Sequence, residues 1–417
     1  MAIFGGGIDP DNRHIRGNWL YIVDIETGQA IYKNRLRGAA AAEPAAVDID
    51  FDGYLDRIYI GDTYGLMYRV DLYQTVAGSP PAGGTKYPPL VATNVSETDY
   101  LNVVHTRSTL RIVDTSFRPR VFFNATGTVG TDTTLSATTS GAPQSIYYPP
   151  SVLFVPTLEK YAVAFGTGNR FDITSLSEPA GRFFALTDDW DWADLPDATV
   201  DSARPTNRSA LFAVNLATDA DSTADYLAKR PLHTRGWAMQ FENDERLVSE
   251  PLTISGVLLF SIFKPTTTLT GDAECEHSGQ SRLFGVFVTN TQGVLDTDPD
   301  NPGPGPGPGP GPGPGPGPGP GDPPGSELGR FRMVADLTTS FYVEQTQTGN
   351  PAEAGSTYGE ITAEERDIME NVKKFMPTNC TYPPGYGVRI NTRTSRGGIE
   401  GIAPIPLCVI ESDFKEE

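Results

Sequence analysis

The sequence predicts an all-β protein, and within that class a β-propeller, complete or incomplete. Short strands that contain an aromatic residue and end at a turn recur along the chain, and radial repetition of small sheets is one way to limit exposed strand edges. The first two copies start at residues 20 and 67, 47 residues apart, an interval typical of one four-stranded blade. A β-sandwich, the alternative, would need shorter and more even connections.

The strands are predicted from short runs of β-branched and aromatic residues. Irregular spacing after the second copy indicates insertions between strands. The predicted segments are residues 20–24, 67–71, 121–123, 152–155, 161–166, 211–215 and 283–287.

A Pro-Gly run predicts how the chain is divided. Residues 302–321 repeat Pro-Gly ten times, so they have no side chains to bury in a core and lack a backbone donor at every second position. Collagen is excluded because it needs glycine at every third position. We therefore predict propeller blades over 1–301, a Pro-Gly-rich linker over 302–325 and a C-terminal segment over 326–417.

The C-terminal segment contains one predicted helix. Thr362 and Glu365 form a capping box, and Pro377 ends the helix. An apolar stripe between them, most simply a face that packs on its own domain, consists of Ile368, Val372, Phe375 and Met376.

Charge and hydropathy exclude two classes of partner. Asp and Glu total 52 against 32 Lys and Arg, which gives a net charge of -20 and repels phosphate backbones and anionic lipid surfaces. Nucleic acid is therefore not expected as a partner. The sequence contains no run of eighteen apolar residues, so we expect no membrane span.

The cysteines and the N-terminus bear on where the protein works. The chain has three cysteines, Cys275, Cys380 and Cys408, which are too few for a disulfide scaffold. The sequence does not decide whether Cys380 and Cys408 form a disulfide. The N-terminal residues have the pattern of an interior strand followed by a glycine turn, and they lack the features of a secretory signal. We expect the chain to be the C-terminal part of a longer protein, and a cytoplasmic protein without a signal is the alternative.

An acidic loop at residues 48–56 predicts a calcium site. Two unit charges 4 Å apart repel by about 1 kcal/mol in water and about 4 kcal/mol at an effective dielectric constant near 20, so several carboxylates in one loop favour a bound cation. Calcium takes six to eight oxygens, and EF-hand loops supply them from positions 1, 3, 5, 7 and 9. The matching residues are Asp48, Asp50, Asp52, Tyr54 through its carbonyl, and Asp56.

The same loop differs from an EF-hand in its last position and in the segment after it. Gly53 occupies position 6, where the chain turns sharply. Position 12 is Tyr59 rather than glutamate, and residues 57–62 are β-branched and aromatic, so the loop is predicted to open a strand. The alternative interpretation is an acidic surface turn that binds nothing.

Other candidate sites are weaker. Asp296, Asp298 and Asp300 alternate like calcium ligands, but Asn301 replaces the turn glycine, so a solvated linker entrance is the simpler interpretation. A second acidic loop interleaves aromatic residues and could bind a carbohydrate or a cation, or pack its own tryptophans; it contains Asp188, Asp189, Asp191, Asp194, Trp190 and Trp192.

No catalytic constellation is found. The histidines His14, His105, His233 and His277 lack metal-ligand spacing and do not accompany a nucleophile motif. Phosphate-binding glycine loops and paired-cysteine zinc motifs are also absent from the sequence. We therefore do not expect an enzyme.

A series of short motifs carries a family resemblance. In chain order they are GGGID at 5–9, LYIVDIETG at 20–28, the acidic loop with DRIYIGD at 56–62, MYRVDL at 67–72, FGTGNR at 165–170, GW at 236–237, ERLVSEP at 245–251, and Cys275 followed by SRLF at 281–284. Together, over about residues 1–295, they resemble the C-terminal β-propeller of the PilY/PilC family, the type IV pilus biogenesis factors and tip-located adhesins of bacteria.

This resemblance implies a function. It matches Asp48, Asp50, Asp52, the Tyr54 carbonyl and Asp56 to the family's calcium-binding loop, in which bound Ca²⁺ is tied to pilus extension and retraction, adhesion and twitching motility. It also implies the minor pilins and the type IV pilus machinery as partners, and a surface or host ligand for adhesion. The implied location is extracellular, at the pilus tip on the bacterial surface, after secretion across the outer membrane. The alternatives are a quinone-dependent dehydrogenase-like propeller and a calcium-stabilised surface scaffold without a pilus role.

Overall fold

The computed structural model describes the β-rich part of the chain. The described residues are 1–8, 16–49, 53–72, 74–75, 85–86, 90–98, 102–112, 117–126, 143–155, 158, 160–171, 173, 175, 179–188, 212–215, 236–265, 279–289, 291, 293–296, 328–329, 331–334, 338–347, 370, 373, 386–394 and 399–406. Nearly all of their regular structure is strand, which confirms the predicted all-β class.

Two antiparallel sheets form the first part of the molecule. The first sheet contains β1 (Ala2–Gly5), β2 (Trp19–Val23) and β3 (Ala30–Arg35). The second sheet starts with β4 (Ala45–Val47), β5 (Arg57–Gly61) and β6 (Leu66–Asp71). Two hairpins follow, β7 (Gln74–Thr75) with β8 (Thr85–Lys86) and β9 (Leu90–Thr98) with β10 (Val104–Ile112), before β11 (Arg120–Asn124) pairs with β6 and completes the second sheet.

Two larger sheets follow. The third sheet has the order β12-β13-β14-β16-β15, with β15 parallel to β16. Its strands are β12 (Ser151–Val155), β13 (Lys160–Gly166), β14 (Arg182–Asp188), β15 (Phe212–Asn215) and β16 (Gly236–Gln240). The fourth sheet contains β17 (Arg246–Leu247), β18 (Leu252–Ile254), β19 (Val257–Pro265) and β20 (Gly279–Phe287).

The segments on either side of the Pro-Gly run pair with each other. β21 (Leu295–Asp296) pairs with β22 (Leu328–Gly329), and β23 (Phe331–Val334) pairs with β20. A strand from beyond the predicted linker therefore belongs to the fourth sheet. The C-terminal sheet contains β24 (Thr338–Gln347), β25 (Tyr386–Thr394) and β26 (Ile399–Pro406).

The first four sheets stack face to face in chain order because their strands alternate between two apolar faces. In the second sheet, Ile58 and Ile60 pack with the first sheet, whereas Tyr59 between them packs with the third. In the third sheet, Phe184 packs toward the second sheet and Phe183 toward the fourth. The middle sheets are therefore buried on both faces.

Aromatic rings fill the interface between the third and fourth sheets. The Phe183 and Phe260 rings stack with centroids 3.9 Å apart, and Phe260 stacks on Phe284 at 4.7 Å. Trp237 is buried beside them and donates its indole N–H to the Val288 carbonyl at 2.7 Å. This hydrogen bond satisfies the only polar group of a ring that the apolar interface buries.

The turn between β5 and β6 is built around one buried carboxylate. The Asp62 side chain is fully buried and accepts hydrogen bonds from the N–H groups of Gly38, Tyr64 and Leu66 and from the Tyr68 hydroxyl, all at 2.8 to 2.9 Å. Because Gly38 follows the first sheet, Asp62 joins the first two sheets. Burial raises the pKa of Asp62 to about 6, against the lowering effect of these donors.

The predicted segments agree with the observed strands where both are described. The predicted segments 121–123, 152–155, 161–166 and 283–287 lie within β11, β12, β13 and β20. The four stacked sheets do not close into a ring in the described part of the chain. The predicted C-terminal helix lies outside the described residues except for Glu370 and Lys373, which are both helical.

Candidate functional site

The acidic loop connects β4 to β5 at one edge of the second sheet. Val47 ends β4 and Arg57 begins β5, and these two residues are paired across the sheet. Gly53 has a φ of +88°, a conformation that glycine adopts without strain. Apart from its chain neighbours, no atom of the described residues lies within 4 Å of where its Cβ would stand, so the glycine is required for its backbone conformation. As predicted, the loop opens a strand.

The described carboxylates of the loop are oriented by backbone amides. Asp48 accepts the Gly53 N–H through Oδ2 at 2.8 Å, and Asp56 accepts the Ile49 N–H through Oδ2 at 2.7 Å. The other oxygen of Asp48, Oδ1, is buried and has no hydrogen-bond partner among the described residues. A buried carboxylate oxygen without a donor is costly, and a bound cation would satisfy it.

The remaining predicted ligands are only partly described. Asp50 and Asp52 lie outside the described residues. Tyr54 is 69% exposed. In the part of the chain that the structure describes, no group of three His, Cys, Asp or Glu side chains is arranged to hold a metal, and the calcium site therefore stays a prediction.

The start of the loop is attached to the third sheet. The Tyr161 hydroxyl, on β13, donates to the carbonyl oxygens of Asp48 and Ile49 at 3.3 and 3.2 Å. One hydroxyl proton serves both carbonyls, so each contact is long. Tyr161 faces the second sheet because it alternates with Val163 and Phe165, which pack in the same interface.

A buried ionic network attaches the end of the loop to the same sheet. Arg57 binds Asp71 at 2.9 Å and Asp188 at 2.7 Å, and Arg69 binds the same two carboxylates, each at 2.6 Å. The Asp188 side chain is completely buried at the end of β14. Two guanidinium groups and two carboxylates thus balance their charges between the second and third sheets.

A tyrosine hydroxyl also contributes to this network. The Tyr59 hydroxyl donates to Asp188, and burial together with the negative charge of Asp188 raises the pKa of Tyr59 well above its ordinary value. Burial alone lowers the pKa of Arg57 and Arg69, but the neighbouring anionic groups outweigh it and raise both values. The tyrosine is therefore neutral and the arginines are charged.

Sequence reasoning missed this network. The detectable signal was the spacing: Arg57 and Tyr59 on one strand, and Arg69 and Asp71 on the next, stand two residues apart and so share a face. The sequence pattern leaves two interpretations for Asp188, a carbohydrate or cation platform and a loop that packs its own tryptophans. In the structure Arg57 and Arg69 bind the Asp188 carboxylate, so this carboxylate is not free to bind a ligand in such a platform.

Several predicted candidates lie beyond the described residues. These are the residues of the aromatic acidic loop after Asp188, Asp298 and Asp300 of the alternating acidic run, and the three cysteines. Within the described part, the helical residues form no segment with the length and apolarity needed to cross a bilayer.

Curated relatives of the chain share one description. No protein-family model matches the chain. "Type IV pilus biogenesis factor PilY1" from Pseudomonas aeruginosa strain PAO1 is 26% identical over 315 residues, covering 67% of this chain and 24% of the relative, and the PAK protein matches equally. The protein of strain UCBPP-PA14 is 23% identical over 343 residues, 72% of this chain and 27% of the relative. These relatives confirm the resemblance to the PilY/PilC family.

The matches cover a minor part of the relatives. The chain spans about a quarter of the length of the curated relatives it matches. Among solved structures, the crystal structure of the Pseudomonas aeruginosa PilY1 C-terminal domain is 20% identical and covers 69% of this chain and 55% of that chain, with a TM-score of 0.39. A TM-score at this level does not establish how the sheets are arranged.

Proposed function

We propose that this chain is the calcium-binding propeller region of a type IV pilus biogenesis factor and pilus-tip adhesin, which regulates pilus extension and retraction, surface attachment and twitching motility. The observation that carries the proposal is the similarity to curated PilY1 proteins over 67% of the chain. In this role the chain works through binding, with minor pilins and the pilus machinery as partners at the bacterial surface, and it catalyses no reaction.

Calcium is proposed as the bound ion because the donor set suits it. Hard cations prefer carboxylate and carbonyl oxygens, which are what Asp48, Asp50, Asp52, Asp56 and the Tyr54 carbonyl offer. The buried Asp48 Oδ1 and the left-handed backbone of Gly53 support a loop that folds around an ion. Bound calcium would offset part of the negative charge of the loop and stabilise the adjoining edge of the second sheet.

We also propose that the sheets are arranged as the blades of a propeller. Four sheets stack in chain order, and the first strand of the third sheet, β12, contacts both β4 of the second sheet and β18 of the fourth. Edge strands of neighbouring sheets meet in this way when blades surround an axis. These contacts support successive blades of one propeller.

Calorimetric titration of calcium tests the site. The wild-type chain should bind one calcium ion in this loop, and Asp52→Ala should bind it at least about tenfold more weakly because a charged ligand is lost. Asp24→Ala is a matched control. Asp24 is an exposed turn carboxylate that accepts hydrogen bonds from the Glu26 N–H and the Thr27 hydroxyl of the same turn. Equal affinity of the wild type and Asp52→Ala would remove the assignment.

The pilus role has a separate test. The chain, carried in its full-length protein, should co-purify with minor pilins, and Asp52→Ala should alter twitching motility without loss of the folded protein. A protein that binds calcium but neither co-purifies with pilins nor affects motility would leave only a calcium-stabilised surface scaffold.

A further inference from the structure

We infer that one cross-strand pair of the third sheet, Tyr161 and Asp188, clamps both ends of the acidic loop and so couples calcium binding to the packing of the second sheet on the third. This coupling deepens the proposed calcium site and rests on it. Tyr161 and Asp188 lie outside the loop, yet they set its geometry.

The two clamp residues are neighbours across the third sheet. Tyr161 and Asp188 stand directly opposite each other on the antiparallel strands β13 and β14. Residues opposite each other on such strands have their side chains on the same face. Both side chains therefore reach the second sheet from one place on the third.

The pair contacts both ends of the acidic loop. Tyr161 donates to the carbonyls of Asp48 and Ile49, where the loop begins. Asp188 binds Arg57, which directly follows Asp56, where the loop ends. The entry and the exit of the loop are thus fastened to the same pair, although about 130 residues of chain separate Arg57 from Asp188.

Contacts at both ends of the loop should strengthen calcium binding. A calcium loop binds tightly when its oxygens are already held near their final positions, because ordering the loop then costs less of the binding energy. Holding the peptide after Asp48 and the residue after Asp56 restricts the two carboxylates that bracket the loop. Coupling between sites is reciprocal, so calcium should strengthen the contact between the two sheets by the same factor.

The test compares two tyrosines. Tyr161→Phe removes the hydroxyl at the loop, whereas Tyr148→Phe removes a hydroxyl that donates to the Val248 carbonyl at 2.9 Å, on the other side of the third sheet. Tyr161→Phe loses a hydroxyl that two carbonyls share, and Tyr148→Phe loses one that donates to a single carbonyl. Calcium affinity of the full chain is measured by calorimetry, and the melting temperature is measured with and without calcium.

We expect Tyr161→Phe to bind calcium about threefold to tenfold more weakly than the wild type, the range expected for one hydrogen bond. Its calcium-dependent rise in melting temperature should shrink accordingly. Tyr148→Phe should lower the melting temperature without calcium but keep wild-type affinity, so a general loss of stability would not reproduce the result.

The outcomes separate the clamp from the site. If the wild type binds calcium and Tyr161→Phe binds it equally well, the clamp is wrong and the calcium site stands. If Tyr148→Phe weakens binding as much as Tyr161→Phe, the effect is one of overall stability and the clamp is also wrong. If the wild type binds no calcium, the proposed site and the clamp fail together.

Discussion

Asp62 and Asp188 are two buried carboxylates that contact the β5–β6 hairpin, Asp62 at its turn and Asp188, from β14, near its open end. Their negative charges are stabilised in different ways. Asp62 is surrounded by neutral donors, three backbone N–H groups and a tyrosine hydroxyl. Asp188 binds two arginines and a tyrosine hydroxyl. Peptide dipoles position the first and opposite charges the second.

The difference arises from the part of the fold that each carboxylate organises. Three of the four donors of Asp62 come from its own hairpin, so the sequence can build this site locally, as an aspartate at a turn commonly does. Asp188 joins strands from two sheets, so its partners must be charged side chains long enough to span the interface. Arginine is such a side chain. The first arrangement fixes a turn, and the second fixes how one sheet lies on the next.

Removing the Asp188 carboxylate should have the largest effect. Asp188→Ala takes away one of the two carboxylates that Arg57 and Arg69 share inside the interface, and we expect the free energy of unfolding to fall by about 3 to 5 kcal/mol. Chemical denaturation measures it. Glu242→Ala is the control: Glu242 pairs with Lys264 and Arg282 but is partly exposed, so it should cost about 1 kcal/mol or less. Equal losses would contradict the contrast.

The raised pKa of Asp62 predicts a pH effect at the other end of the hairpin. The unfolded chain releases the Asp62 proton near pH 4 and the folded chain near pH 6, so between these values the folded state holds more protons. Stability should therefore fall as pH rises from about 4 to about 6, by about 3 kcal/mol in total, and then level off.

The variant Asp62→Asn isolates this effect because it does not titrate. The difference in unfolding free energy between the wild type and Asp62→Asn, measured by denaturation at several pH values, should decrease by that amount over the same interval. A difference that is constant from pH 4 to pH 7 would show that Asp62 does not titrate in this range.

The smallest losses of stability should come from removing the two tyrosine hydroxyls that donate to these carboxylates. Tyr68→Phe removes a donor to Asp62 and an acceptor for the Arg37 N–H, so it should cost about 1 to 2 kcal/mol and move the Asp62 transition to higher pH. Tyr59→Phe removes one donor from Asp188, which keeps both arginines, and should cost about 1 kcal/mol. Denaturation at pH 5 and pH 8 would distinguish them, because only Tyr68→Phe should change the pH dependence.

The local features were predictable from the sequence. The strands β11, β12, β13 and β20 follow from runs of β-branched and aromatic residues, and the left-handed turn at Gly53 follows from its place among the acidic residues. These features depend on neighbours in the chain. The loop itself remains a prediction where Asp50 and Asp52 are concerned.

The contacts between sheets could not be predicted. Arg57 finds Asp188 only when the second sheet stacks on the third, and a charged residue in a strand normally indicates a solvent-facing position. Likewise, Tyr161 has the pattern of an ordinary strand aromatic, because its hydroxyl partner is a backbone carbonyl that no sequence pattern marks. One sequence without a pairing register does not specify such long-range partners.

The pairing of β21 with β22 has a consequence for the Pro-Gly run. Because Asp296 pairs with Leu328, the part of the chain between them, which includes the run, is an excursion whose two ends are paired. The entropy of closing such an excursion grows only with the logarithm of its length, about 0.6 kcal/mol for a doubling. Tandem-repeat expansion or contraction here would therefore be nearly neutral for folding, which leaves the number of dipeptides free to drift.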